Sequence, residues 1–127
     1  AYIITPLLKH LRDAKAGYGF IRDEDAPEEI RSTAPGARDG LANEYDWDNF
    51  AEQRWNYVLN EMIWAFEQKT KDDDGDEFYD HSECDYSQPL LSQLDNLKVD
   101  REGLKKHEER KANGYRLFGK YYENLWT

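Results

Sequence analysis

The 127-residue chain has one cysteine, few basic residues and no long apolar run, and each shortage excludes something. Cys84 alone cannot close an internal disulfide or supply a zinc framework of the CxxC kind, which points to a reducing compartment. The longest apolar run is Met62-Ile63-Trp64-Ala65-Phe66, too short for a membrane-spanning helix or the apolar segment of a signal peptide. The opening Ala1-Tyr2-Ile3-Ile4 lacks a methionine, as a trimmed chain would. A soluble, intracellular protein that does not engage membranes is expected. There are 17 Lys and Arg against 27 Asp and Glu, a formal charge of −10, so a protein that coats DNA or RNA through clustered cations is disfavoured. Aromatic residues are plentiful at 14%, so some segments must pack well while others stay solvated.

Apolar spacing predicts helices separated by acidic, turn-rich connections. The first spans Thr5 to about Ala16, with Thr5 as cap, Pro6 at the first helical position, Leu7, Leu8 and Leu11 as a narrow stripe, and Gly17 as stop. Residues 18–43, with Pro27, Pro35 and several glycines, read as loop apart from a short turn at Pro27-Glu28-Glu29-Ile30. The second helix runs from Trp47 or Asn49 to Lys69, capped by Asp46 or Asp48. At 100° per residue Trp47, Phe50, Ala51, Trp55, Val58, Leu59, Met62, Ala65 and Phe66 share one broad face, which must be buried. The third helix runs from Arg101 to Leu125, capped by Asp100. Its stripe Leu104, Glu108, Lys111, Tyr115, Phe118, Tyr122, Leu125 has the alternating spacing of a helix–helix seam and is clean only from Tyr115 onward. Residues 70–87 form a second loop-rich region, and Leu90, Leu91, Leu94 and Leu97 form a small apolar cluster after it.

Two constellations in the acidic connection invite chemistry. Asp72-Asp73-Asp74-Gly75-Asp76 resembles the middle of an EF-hand loop, but placing Gly75 at the sharp turn puts Thr70 and His81 at the terminal ligand positions, and both fail as calcium ligands. Asp80-His81-Ser82-Glu83-Cys84 gathers an imidazole, a thiol and carboxylates, types that bind zinc or form a nucleophilic pair. An exposed loop lacks the rigid frame that such a site needs.

Within the second helix Arg54 and Glu61 project into the apolar arc, where an unpaired charge is costly. Partners for Glu61 are available on the third helix at His107, Lys111, Arg116 and Lys120, and Glu108 can meet Arg54. Two readings stand: structural ion pairs, or a carboxylate–imidazole metal site built from Glu61, His107 and Glu108, for which the Glu-x-x-His pairs of di-metal bundles are missing. Otherwise no cofactor is expected. Trp64 and Tyr121 lie off the stripe centres and, with Trp126, are the expected contacts with a protein partner or a second copy. Gly114 and Gly119 are unfavourable in a helix interior, which suggests a close helix approach at Gly119.

The segments 55–67, WNYVLNEMIWAFE, and 113–126, NGYRLFGKYYENLW, resemble a family of small tailed-bacteriophage proteins in which a MIWAFE-type helix is followed, across an often acidic insertion, by an LFGKY…LW-type helix. The likeness does not reach the N-terminal segment. It implies a phage origin and a helical hairpin, carries over no catalytic residues, and places the protein in the cytoplasm of the infected bacterial cell.

The fold expected is therefore all-α, a single domain over residues 1–127: a small helical bundle on an antiparallel pair of long helices with a long acidic loop between them. The function expected is that of a non-catalytic accessory or interaction protein without direct nucleic-acid contact. Alternatives are an acidic DNA mimic that inhibits a host DNA-binding protein or nuclease, and a metal-dependent enzyme using Glu61, His107 and Glu108 or the His81 loop. Lys71–Asp85 carries −7 and Asp23–Glu29 carries −5, leaving +2 for the remainder, so the acidity belongs to the connections, which weakens the mimic, and the loops then serve solubility.

Overall fold

The computed structural model describes residues 2–14, 19–43, 46–80, 82, 87–91 and 97–125, and the chain is mostly helical. Helix α1 is Ile4–Ala14, α2 is Ala51–Lys69 and α3 is Arg101–Lys120. Single 3-10 turns cover Asp23–Asp25, Glu28–Ile30, Asp76–Phe78 and Tyr122–Leu125. Strands β1 (Tyr79–Asp80) and β2 (Lys98–Val99) pair antiparallel, with Tyr79 opposite Val99 and Asp80 opposite Lys98. No helix among the described residues is long and apolar enough to cross a membrane.

Helix α2 has neither proline nor glycine and lies between α1 and α3, its main packing partners. That position explains why its buried arc is so wide: Trp55, Val58, Leu59, Met62, Ile63, Ala65 and Phe66 are all buried, and no single neighbour could cover them. Leu8 of α1, Ile21 of the following connection, and Leu117, Tyr121 and Leu125 at the end of the chain complete the core.

Several boundaries differ from the sequence expectation for physical reasons. Thr5 lies inside α1 as a buried residue and does not cap it. Helix α2 starts at Ala51, so Trp47 lies outside it and is largely exposed instead of joining the buried face. Asp48 caps no helix by itself; its Oδ2 accepts from the Phe50 amide at 3.1 Å while the carboxylate binds Arg54. The Asp100 cap is present, its Oδ1 accepting from the Gly103 amide at 2.9 Å, but α3 gives way after Lys120 to a 3-10 turn. The buried seam of α3 and its extension is His107, Gly114, Leu117, Tyr121 and Leu125, rotated from the expected stripe by about one residue. Gly114 sets this rotation. A Cβ there would lie 2.8 Å from the Glu61 carbonyl oxygen and run into Ala65 Cβ, whereas at Gly119 nothing lies within 4 Å, so the close approach is at Gly114.

The acidic stretch is not wholly solvated either. Phe78 and Asp74 pack against α3, and the β1–β2 pairing ties residues 79–80 to the segment that leads into it. Leu90 and Leu91 remain 68% and 76% exposed, so they do not form the apolar cluster expected of them, and Leu94 lies outside the described residues.

Candidate functional site

The connection between α1 and α2 is stitched around the first turn of α2. The Asn49 side-chain amide donates to the Gly36 and Asp39 carbonyls at 2.9 Å each, and its backbone amide donates to Ala37 at 2.8 Å. Gly36 turns the chain with φ +88°, a conformation open to glycine. One turn into α2, Arg54 donates to Asp48 at 2.7 and 2.6 Å in a bidentate pair and to the Ile30 carbonyl at 3.2 Å. Sequence reasoning sought its partner on the third helix, at Glu108; the partner is six residues away in the same connection.

Between these segments lies a cleft of about 320 Å³. Phe20 and Trp47 stand on its wall, 61% and 49% exposed, and Ile21, Asp23, Asp48 and Arg54 line it as well. Arg54 is 2% exposed. The Asp48 bonds raise its pKa, and the reciprocal bonds hold Asp48 below the usual carboxylate range. Burial pushes Asp23 up, but the Ser32 amide and hydroxyl bonds and the charge of Arg54 take it below its ordinary value. Arg54 Nε lies 4.0 Å from Asp23 Oδ1, beyond hydrogen-bond reach, and is buried with no partner among the described residues.

A second cluster holds two of the three residues expected of a helix-borne metal site, His107 and Glu108, together with Asp74. Asp74, His107 and Glu108 present ligand atoms within 4.8 Å of one another, and Glu61 is not among them. Glu61 is instead gripped by Arg110, whose Nε and terminal nitrogen donate to it at 2.9 and 3.1 Å. Lys111 Nζ sits 2.6 Å from Asp74 and 2.9 Å from Glu108, so an ammonium already occupies the position between the carboxylates. The bond with Asp74 raises the Lys111 pKa; burial pushes Asp74 up, but Lys111 and His107 bring it below its ordinary value. His107 Nε2 meets Asp74 at 2.6 Å, and its ring is flanked by Trp64 and Phe78, each with centroids 5.2 Å away. This arrangement clamps the acidic connection onto α3. His81 lies outside the described residues.

The expected contact residues are placed differently from one another. Trp64 is half-buried, with the Arg110 guanidinium 3.9 Å from its ring centroid. Tyr121 is a core residue, 4% exposed, whose hydroxyl donates to Asp25 and accepts from the Arg22 amide at 3.1 Å; the rotated seam carries it inward. Trp126 lies outside the described residues.

Asp25 was not singled out by sequence, because it stands in an acidic run that looks solvated. Its side chain is 2% exposed and also accepts from Arg116 at 2.8 Å and Lys120 at 2.6 Å. Burial pushes its carboxyl up, yet the bonds from Lys120, Tyr121 and Arg116 outweigh that and hold the pKa at about 2, below the ordinary 3.8. A depressed carboxyl contributes stability above its unfolded-state pKa and loses it as pH falls through the folded-state value. The shift corresponds to about 2 kcal/mol. Asp25→Asn is therefore expected to lower neutral-pH stability by about that amount and to flatten the pH dependence of thermal unfolding between the ordinary 3.8 and about 2. An acid limb as steep in the variant as in the wild type removes this assignment.

No protein-family model, curated protein or solved structure matches the chain.

Proposed function

We propose that this chain is a non-catalytic interaction protein of the phage accessory kind that its two helix motifs resemble, acting in the cytoplasm of the infected cell. The docking site in this reading is the cleft walled by Phe20 and Trp47. The observation that carries it is that two large, partly exposed aromatic side chains line the same cleft as the Arg54–Asp48 ion pair. Aromatic residues held open on a rigid rim are the usual anchors of protein recognition. Trp64 and Tyr121, already used inside the molecule, become supports of the fold in this reading.

The long helices then serve as the frame, an antiparallel pair at the centre of a small bundle with the acidic segment linking them. Trp55, near the start of α2, and Asn124, after α3, both approach Gly19, while Asp74, just past α2, meets the N-terminal half of α3. Such a frame anchors the α1–α2 connection, which presents the cleft.

The test is affinity capture from infected cells with the wild type and with the double variant Phe20→Ala/Trp47→Ala. Phe20 and Trp47 are 61% and 49% exposed, so the variant should stay folded, with a modestly lowered unfolding temperature, while losing the captured partner. Retention of the same partner at wild-type yield overturns the docking reading.

A further inference from the structure

We propose that the cleft receives the cationic side chain of a basic peptide segment, with an arginine guanidinium stacked between Phe20 and Trp47 and held by the carboxylates of Asp46 and Asp23. The inference rests on the docking reading and adds the chemistry of the occupant.

Charge selects a cation. Residues 19–48 carry nine carboxylates against three arginines. Lys120, Arg116 and Arg54 take up Glu24, Asp25 and Asp48, and the remainder keeps a net negative charge that attracts basic chains. Asp46 lies at the cleft, exposed, and its carboxylate makes no bond among the described residues. Asp23 spends one bond on each oxygen, to the Ser32 amide at 2.8 Å and to the Ser32 hydroxyl at 2.5 Å, and retains acceptor capacity on both. The cations on the wall are otherwise engaged. Arg54 is neutralised by Asp48, and Arg38 donates to the carbonyl oxygens of Asp46 and Asn43 at 2.8 and 3.1 Å. An anionic occupant would face Asp23 and Asp46, while an apolar one would strip water from both without replacing their bonds.

Geometry selects arginine. Its guanidinium is planar, stacks on aromatic faces and carries five N–H donors in a fork that suits carboxylates, so one group can use an aromatic face and an acid together. A lysine offers a compact charge and gains less from an aromatic face.

The full chain, isotopically labelled, is titrated by NMR with the peptide acetyl-Gly-Ser-Arg-Ser-Gly-amide and with peptides carrying citrulline or norleucine in place of the arginine. The arginine peptide should shift the Trp47 indole N–H and the Ser32 amide. Citrulline keeps the shape without the charge and should bind about tenfold more weakly. Trp47→Ala should weaken the arginine peptide about as much, and Asp46→Asn about threefold, with wild-type affinity falling as salt rises. Equal binding of the citrulline or norleucine peptide overturns the cationic occupant. An unmoved cleft in the presence of the arginine peptide overturns it too, and the docking reading survives if partner capture still depends on Phe20 and Trp47. Loss of that dependence removes the docking reading, and this inference with it.

Discussion

Asp48→Ala is expected to cost about 3–5 kcal/mol of folding stability, measured by urea unfolding. The reason lies in what the substitution leaves behind. Arg54 is buried, its two terminal nitrogens are held by Asp48, and a third bond to the Ile30 carbonyl cannot neutralise its charge. A buried lysine could shed its proton, but a guanidinium cannot, so the unpaired charge persists and the local structure must open to hydrate it. Asp23, 4.0 Å from Nε, offers partial relief and sets the lower end of the range. Removing both charges should be far gentler: Asp48→Ala combined with Arg54→Met should recover most of the loss, because an apolar pair of similar volume needs no hydration. A single-variant loss under about 1 kcal/mol would show that the pair lies open to water. The same variant ties stability to the proposed function, since the pair forms part of the cleft wall beneath Phe20 and Trp47.

Parts of this arrangement were readable from the sequence. The periodicity from Ala51 to Phe66 gives the buried face of α2 because α1 and α3 cover that arc, and a long apolar period survives small errors of register. Asp100 was readable because its capping bond to Gly103 is local. The strands were not readable, since a two-residue ladder has no period to detect. The partner of Arg54 is not legible from helix faces, because a residue in the preceding turn, Asp48, closes the pair more directly than the facing helix could. The cleft was hidden for a related reason: Trp47 fits the apolar face of α2 in projection, and only the helix start at Ala51 shows that it stands outside that face.

The partition of charge acquires a structural meaning. The connections are acidic and α3 carries the basic residues that meet them. Asp74 binds His107 and Lys111, Asp25 binds Arg116 and Lys120, and Glu24 binds Lys120. Both acidic connections are therefore fastened to one helix, so their role extends beyond solubility. The resulting clasps differ in strength. Asp25 is enclosed and also takes the Tyr121 hydroxyl, whereas Glu24 lies in water, where an ion pair contributes little. The acid limb of unfolding should follow the enclosed carboxylate.

Gly114→Val is expected to destabilise the fold by about 3 kcal/mol, with Gly114→Ala costing about 1–2 kcal/mol and Gly119→Ala stabilising by about 0.5–1 kcal/mol. Helix propensity alone would make all three substitutions favourable, since glycine is the weakest of these residues in a helix interior. At Gly119 propensity is unopposed, because nothing lies within 4 Å of an added Cβ. At Gly114 the added atom meets Ala65 Cβ and comes within 2.8 Å of the Glu61 carbonyl oxygen. Neither the oxygen nor a Cβ can swing aside as a flexible side-chain tip does, so the two helices must separate. Separation also lengthens the Tyr115 hydroxyl bond to the Ala65 carbonyl, 3.0 Å in this packing, and loosens Leu117 in the core. Valine adds two further carbons in the same direction and recovers less propensity than alanine, which is why the loss grows along the series. Thermal and urea unfolding of the three variants distinguishes this from a simple propensity effect by the sign at Gly114. A stabilising Gly114→Ala would mean that α2 and α3 are farther apart than the geometry at Ala65 requires.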